Sequence, residues 1–195
     1  MTKITNTSGF ASQRLIARRC RLGDAEPLAN LMTESISRCL AGWPFPLTTS
    51  KATEIIRQSL VSAERGISFP ATLTEKTNDQ PIGWLKLTAS ESDSMEYELS
   101  YWIGDASQRQ GYAFEIASEA IKFAFNDLAA DSVIAGAQVE NTASHALLAK
   151  LGMTPTYEKL VWAAARERHE ACQFWKLDKA ELRSAWHSNT PINVY

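Results

Sequence analysis

Residues 95–130 constrain the fold more than any other part of the chain. Residues 95–104 read as a strand, Gln108-Arg109-Gln110-Gly111-Tyr112-Ala113 as a tight loop, and residues 111–130 as a long helix. A strand that passes through a tight loop into a helix turns several free backbone N–H groups, and the positive end of the helix dipole, onto one point. Such a point suits a pyrophosphate. Gly111 lets backbone approach a ligand closely, and the small Ala113 leaves the first helical turn uncrowded. The loop therefore predicts a nucleotide-like cofactor.

The flanking segments decide which kind. Residues 14–21 read as a first strand, and Asp24 as the N-cap of a helix that buries Leu28, Leu31, Met32 and Ile36. The Gly42-Trp43-Pro44-Phe45-Pro46 stretch cannot continue that helix. It reads either as a wall of a cleft or as an apolar plug between helices. Thr49 or Ser50 caps a second helix, with Ile55, Ile56, Ser59 and Leu60 on one side and Gly66 at its end. Residues 67–74, 82–89 and 95–104 then form an antiparallel meander, with turn chemistry at 78–81. The helix after the loop presents Ile116, Ala117, Ala120, Ile121, Ala124 and Leu128 on one face. Residues 132–139 read as a buried strand, and Asn141 caps a helix that runs to Lys150 and stops at Gly152. Residues 157–165 and 172–177 close the chain as a hairpin, with 166–170 at its turn.

The resulting order is β-α-α-β-β-β-α-β-α-β-β. A doubly wound dinucleotide fold would place its glycine-rich turn after the first strand and alternate regularly afterwards. Here the loop follows the fourth strand and no GxGxxG is present. The expected class is α+β, in one domain over residues 13–183, with residues 1–12 and 184–195 as tails. With 45% apolar and 22% charged residues and a net charge of −2, no global basic field recruits nucleic acid. Cys20, Cys39 and Cys172 are odd in number and form no CxxC, and His145, His169 and His187 lack metal spacing. No apolar run approaches a membrane span, and the first residues lack a signal peptide's apolar centre. The expected setting is cytoplasmic, without metal, as monomer or homodimer.

These motifs together resemble the GNAT superfamily of acetyl-CoA-dependent N-acetyltransferases. The residues that carry the likeness are Q-x-x-G-x-A at 108–113, the preceding Glu98-Leu99-Ser100-Tyr101-Trp102, and Asn141-Thr142-Ala143-Ser144 leading to Leu151-Gly152-Met153. The likeness covers roughly residues 13–178 and is greatest to the ribosomal-protein alanine acetyltransferase branch. It implies a mostly antiparallel, six- to seven-stranded twisted sheet flanked by four helices. It further implies that the strand ending at Gly104 splays from the strand starting at Ser132. The pantetheine arm of acetyl-CoA, the co-substrate, would lie in the opening against backbone groups of Trp102 and Ile103. Gln108, Arg109, Gln110, Gly111, Tyr112 and Ala113 would hold the pyrophosphate, and Asn141 and Ser144 would lie near the thioester. Ser100 replaces the branch's usual Gly. Leu148 stands where many members carry a tyrosine that protonates the leaving thiolate.

Acetyl transfer needs a neutral amine. At pH 7 an α-amine is about one-tenth neutral, a lysine only about one part in two thousand. A thiol with a pKa of about 8.5 leaves with little help, so the missing tyrosine is tolerable. Glu98 is the candidate general base and Ser144 a candidate donor to sulfur or water. Each also has a purely structural reading, Glu98 as a solvated or paired carboxylate on a sheet face and Ser144 as part of an Asn-capped turn. Lys150 and Arg109 are candidate phosphate contacts, or plain surface charges. The acceptor is a primary amine, either a protein N-terminus or a small molecule; a non-catalytic acyl-CoA sensor is the alternative.

Overall fold

The structure is a computed structural model and describes residues 8–90, 93 and 95–182. Eight strands form one mixed sheet in the order β1-β2-β3-β4-β5-β6-β8-β7. The strands are β1 (Gly9–Ala11), β2 (Leu15–Arg19), β3 (Ser68–Glu75), β4 (Pro81–Ala89), β5 (Glu96–Ile103), β6 (Ser132–Gln138), β7 (Thr154–Ala163) and β8 (Arg168–Asp178). The helices are α1 (Ala25–Leu31), α2 (Glu34–Ser37), α3 (Thr49–Glu64), α4 (Tyr112–Asn126) and α5 (Thr142–Lys150). The fold is the expected α+β type, with one strand and one short helix more than expected.

The extra strand corrects the reading of the N-terminal segment as a tail. Residues 9–11 pair antiparallel with β2, and Phe10 stacks on Phe123 at 5.0 Å between ring centroids. Three residues carry too little alternation to be read alone; the neighbour's edge makes them a strand. Residues 1–7, and the second tail expected at 184–195, lie outside the described residues.

The extra helix arises because Met32 and Thr33 are extended, which splits the expected helix into α1 and α2. Thr33 caps α2 by accepting the Ile36 N–H, and its hydroxyl donates to Asp105 at 2.9 Å. Asp24 makes no side-chain cap on α1. Its carboxylate instead accepts from both terminal nitrogens of Arg18 (2.9 and 2.8 Å), from Thr72 Oγ1 (2.6 Å) and from the Arg21 N–H. Burial opposes this charge, but those hydrogen bonds outweigh it and hold the Asp24 pKa below the ordinary carboxylate range. A buried partner beats a local cap, which spacing cannot reveal. In α3 the cap is Thr48, not Thr49 or Ser50, and the buried stripe is Ala52, Ile56, Ser59 and Ala63. α4 is shorter than expected, because Gly111 at φ 79° lies outside it; Leu128 and Ala130 are buried beyond its end all the same. The closing hairpin is longer than expected, and Glu170 lies within β8 rather than at the turn.

Each face of the sheet has its own core. Tyr97, Leu99 and Ile103 of β5 pack with Ile116, Ala120 and Ile121 of α4. Trp84 of β4 and Trp102 of β5 pack on the other face with Trp43, Leu28 of α1 and Ile56 of α3. The alternation along β5 thus sends successive side chains into two compartments.

The feature that positions the site is a gap. β5 and β6 are the parallel pair, and their pairing covers only Glu96↔Ser132, Tyr97↔Val133 and Glu98↔Ile134. Beyond that point β5 stays with β4 as far as Ile103, and β6 stays with β8 as far as Gln138. The strands part because each is held by its outer neighbour.

Candidate functional site

The gap between β5 and β6 opens into a cleft of about 1170 Å³. One wall is 98–103 of β5, the other 135–138 of β6, and α4 and α5 bring their N-terminal turns to it. Gly136 stands on the β6 wall, where a Cβ would lie 2.7 Å from the Phe174 ring. Only glycine lets β8 bring that ring so close to the β6 backbone.

At one end lies the loop before α4. None of the backbone N–H groups from Arg109 to Phe114 has a hydrogen-bond partner among the described residues. Arg109 and Gly111 have φ of 60° and 79°, so the chain turns through left-handed conformations and presents these groups in sequence. Side chains fix the loop's shape. Gln108 Nε2 donates to Ile103 O (2.9 Å) and Asp105 Oδ1 (3.1 Å), and Gln110 Nε2 donates to Ala106 O. Arg14 donates to Gln110 O (3.0 Å), lies 4.5 Å from the Tyr112 ring centroid and pairs with Glu115. Without Arg14, Glu115 would set a negative charge without a counter-ion one turn from these free N–H groups. Burial opposes the Glu115 carboxylate, but hydrogen bonds from Ser12 and Arg14 outweigh it and lower its pKa. The Arg14–Glu115 contact links residues 101 positions apart, so no local pattern announced it.

The structure brings most of the expected cofactor residues onto this cleft: Trp102, Ile103, Gln108, Arg109, Gly111, Tyr112, Ala113 and Asn141. Gln110 is not on the cleft wall and serves the loop from behind. The Tyr112 hydroxyl points elsewhere, donating to Glu75 at 2.9 Å. Asn141 is occupied as the cap of α5, its Oδ1 accepting the Ser144 N–H at 3.1 Å. Lys150 lines the cleft and lies 4.3 Å from the Phe114 ring centroid.

At the other end, side chains from distant segments converge. Glu98 keeps solvent access through the cleft, yet enough protein surrounds it that desolvation raises its pKa. Lys159 and Lys86 pull that pKa back, and Glu96 adds to the rise. Lys86, opposite Ser100 across β4 and β5, is pushed down by burial and partly restored by Glu98. Tyr101 lines the cleft with Ser144; burial pushes its pKa up to about 12, and the Ser144 hydroxyl works the other way. Trp43 of the Trp-Pro-Phe-Pro stretch is buried against Trp84 and Trp102, at 5.3 and 5.2 Å, while Phe45 is exposed. The stretch is therefore both plug and wall, because Trp43 also lines a smaller pocket beside the cleft.

The β7–β8 turn closes this end. Arg166 donates to Ser37 O (2.7 Å), Leu40 O (3.0 Å) and both carboxylate oxygens of Glu170, and the Ala165 N–H donates to Ala41 O. Gln138 adds bonds to Arg38 O and Glu170. Arg166 holds the Glu170 pKa down to about 2. Sequence reading missed Lys86, Tyr101 and this clasp. A lone Lys within Trp84-Leu85-Lys86-Leu87 was the one signal present.

Among the described residues no cluster of metal-ligating side chains occurs, and no helix is long and apolar enough to cross a membrane. A family model described as an acetyltransferase (GNAT) domain matches residues 14–154, well over half of the chain. No curated protein matches it by sequence. Solved structures do match. Mycobacterium smegmatis RimJ in complex with CoA-disulfide has a TM-score of 0.81 at 14% identity, covering 93% of this chain and 92% of that one. RimL, the ribosomal L7/L12 α-N-protein acetyltransferase in complex with coenzyme A, has a TM-score of 0.73 at 15% identity, covering 86% and 95%. The ribosomal-protein-S5-alanine acetyltransferase from Vibrio fischeri has a TM-score of 0.71 at 17% identity, covering 88% and 97%. At these identities the likeness is one of fold.

Proposed function

This chain belongs to the GNAT acetyltransferase family, and from that premise we propose that it moves an acetyl group from acetyl-CoA to a primary amine in a ternary complex. The observation that carries the proposal is the row of unpartnered N–H groups from Arg109 to Phe114 at the mouth of the β5–β6 gap. A row of free amides at the start of a 15-residue helix favours a diphosphate. The gap supplies backbone edges on 99–103 and 135–138 against which an amide-bearing arm can lie. Ile103 O already accepts from Gln108, so part of that edge is engaged. The co-substrate supplies an activated acetyl group.

The remaining work falls to this chain's side chains. Glu98, with its raised pKa, is suited to take a proton from the amine nitrogen directly or through water. Tyr101 and Ser144 keep hydroxyls beside each other on the cleft wall, available to the leaving sulfur. The clasp of Arg166 onto Ser37 and Leu40 roofs the acceptor's end and limits how water enters. RimL and the S5 enzyme act on ribosomal proteins by their names, and a protein N-terminus is one acceptor consistent with this site. A small amine is the other.

Calorimetry with acetyl-CoA, followed by a free-thiol assay over a panel of amines, tests the reading. Micromolar binding and amine-dependent thiol release are expected. Silence of the folded protein toward acetyl-CoA would overturn it, and tight binding without release on any amine would make the chain a sensor.

A further inference from the structure

A second pocket, of about 400 Å³, adjoins the cleft and shares Ser100, Tyr101 and Trp102 with it. Its remaining wall comes from α3, from 40–43 and from Trp84 and Lys86 of β4. Among the described residues that line it, Lys86 is the only one with a charged side chain. No carboxylate lies within ion-pairing distance of its ammonium, and it makes no hydrogen bond among the described residues. A lysine withdrawn from water without a counter-ion is costly, and burial depresses its pKa for that reason. Other donors beside it are also unused. The hydroxyls of Ser59 and Ser62, both on the wall, bond to no other described side chain or carbonyl, and Trp102 Nε1 is buried without a partner. The pocket is thus rich in donors, and no described residue of its wall is acidic.

The acid lies just outside it. Register places Lys86 opposite Ser100 and Glu98 opposite Thr88, so Lys86 and Glu98 are diagonal neighbours on one face of the sheet. Such neighbours lie about 7–8 Å apart, with β-carbons somewhat closer, a separation that one small molecule can bridge between their side chains. A molecule with its nitrogen at Glu98 meets a lone cation on the pocket side and flat apolar surface from Trp43 and Trp84.

On the acetyltransferase reading given above, we propose that this pocket is the acceptor's anion subsite, and that the acceptor is a small amine carrying an oxyanion a few bonds from its nitrogen. Carboxylate and phosphate ester share that chemistry. A polyamine would set a second cation against Lys86 and lose affinity. A long peptide chain would have to pass the Arg166 clasp.

The test uses pairs that share a carbon skeleton: phenylalanine and phenethylamine, tryptophan and tryptamine, O-phosphoethanolamine and ethanolamine. Spermidine and a peptide with a free N-terminus complete the panel. The full chain is assayed for thiol release with acetyl-CoA, and its CoA complex is titrated calorimetrically with each N-acetylated product. The expected result is at least tenfold higher kcat/KM for the anionic member of a pair, with the phenylalanine and phosphoethanolamine arms separating carboxylate from phosphate. Lys86→Met, and Lys86→Gln as a milder variant, should erase that preference and product binding while leaving CoA affinity unchanged, which also certifies the fold. Equal or better use of the anion-free amines, of spermidine or of the peptide would overturn the inference with the acetyltransferase reading intact. So would absence of product binding by every anionic member. Failure to bind CoA at all would instead overturn the reading beneath it.

Discussion

At the loop before α4, the groups on offer are unpartnered main-chain N–H groups of consecutive residues, Arg109 to Phe114, all but Gln110 on the cleft wall. At the opposite end they are side chains from separate segments: Glu98 of β5 and Glu170 of β8 line the cleft, Lys86 of β4 and Lys159 of β7 act on Glu98, and Arg166 of the β7–β8 turn ties Glu170 to carbonyls of the 37–41 segment. The first end is one short stretch of chain in the right conformation, and the second exists only once the sheet is assembled. A backbone site tolerates most side-chain changes and fails when φ or the space above a glycine changes. A side-chain site fails one residue at a time. The two ends should therefore respond to mutation in opposite ways.

Gly111→Asp should have the largest effect. Gly111 sits at φ 79°, and only the Arg14 side chain lies near the place a Cβ would take. A carboxylate there would occupy the anion's space and repel it. A fall in acetyl-CoA affinity of at least about a hundredfold, or roughly 2.7 kcal/mol, is expected by calorimetry. Gly111→Asn is the control, since Asn tolerates left-handed backbone and carries no charge. It should stay within about tenfold of the parent. An Asp variant that bound acetyl-CoA normally would remove the backbone end from the comparison altogether.

Glu98→Gln comes next and should leave cofactor affinity alone. If Glu98 takes the amine's proton, kcat at pH 7 should fall by about 10²-fold or more. The deficit should shrink toward pH 9, where more of the amine is already neutral. Stability should move the other way. Burial raises the Glu98 pKa, so its favourable contribution is complete below the unfolded carboxyl pKa and is lost as pH rises through the folded value. Glu98→Gln should therefore raise Tm at pH 8 relative to the parent, with no such gain at pH 3. A uniform activity loss at every pH, with Tm unchanged or lowered, would make Glu98 a packing residue.

Arg166→Ala tests the clasp. It removes bonds to two carbonyls of the 37–41 segment and leaves Glu170 largely buried with Arg168 and Gln138. The expected cost is about 1–3 kcal/mol of stability. The acceptor's KM should rise roughly tenfold, about 1.4 kcal/mol, with acetyl-CoA affinity unchanged. Because Glu170 has its pKa held near 2, the clasp's contribution is complete above the ordinary carboxyl pKa and is lost only as pH falls toward 2. Acceptor KM should thus owe none of its pH dependence between 5 and 8 to this pair. An equal loss of affinity at both ends would show that the clasp shapes the whole cleft.

The same contrast explains what the sequence revealed. The strand-loop-helix around Gly111, the meander before it and the Asn141 cap were readable because each depends on local periodicity, turn chemistry or a cap. The gap between β5 and β6 came only with the family likeness, since no local pattern records where a ladder stops. Asp24 read as a cap and is a buried partner of Arg18, from the strand before it. β1 was lost because three residues show no period. Lys86, Tyr101 and the Arg166 clasp were invisible as a site, because their meaning lies in neighbours tens of residues away.

The smallest effect should come from Tyr101→Phe, and it asks whether side chains assist departure as well as attack. Leu148 is buried and has no proton to give, so any proton for the sulfur must come from another residue. Tyr101 and Ser144 stand together on the cleft wall. With its pKa near 12, the Tyr101 hydroxyl stays protonated across the working range and can donate throughout it. Its titration would leave no mark on a pH–rate profile below about pH 10. The departing thiol has a pKa of about 8.5 and needs little help, so a three- to tenfold fall in kcat is expected, with KM unchanged. The phenyl ring keeps the packing, so Tm should change little. Ser144→Ala should cost a similar amount. If the two hydroxyls donate as one unit, the double variant should be no slower than the slower single variant. Additive losses would mean separate roles. If neither single variant slows turnover, the sulfur leaves unaided and Glu98 alone carries proton transfer at the side-chain end of the cleft.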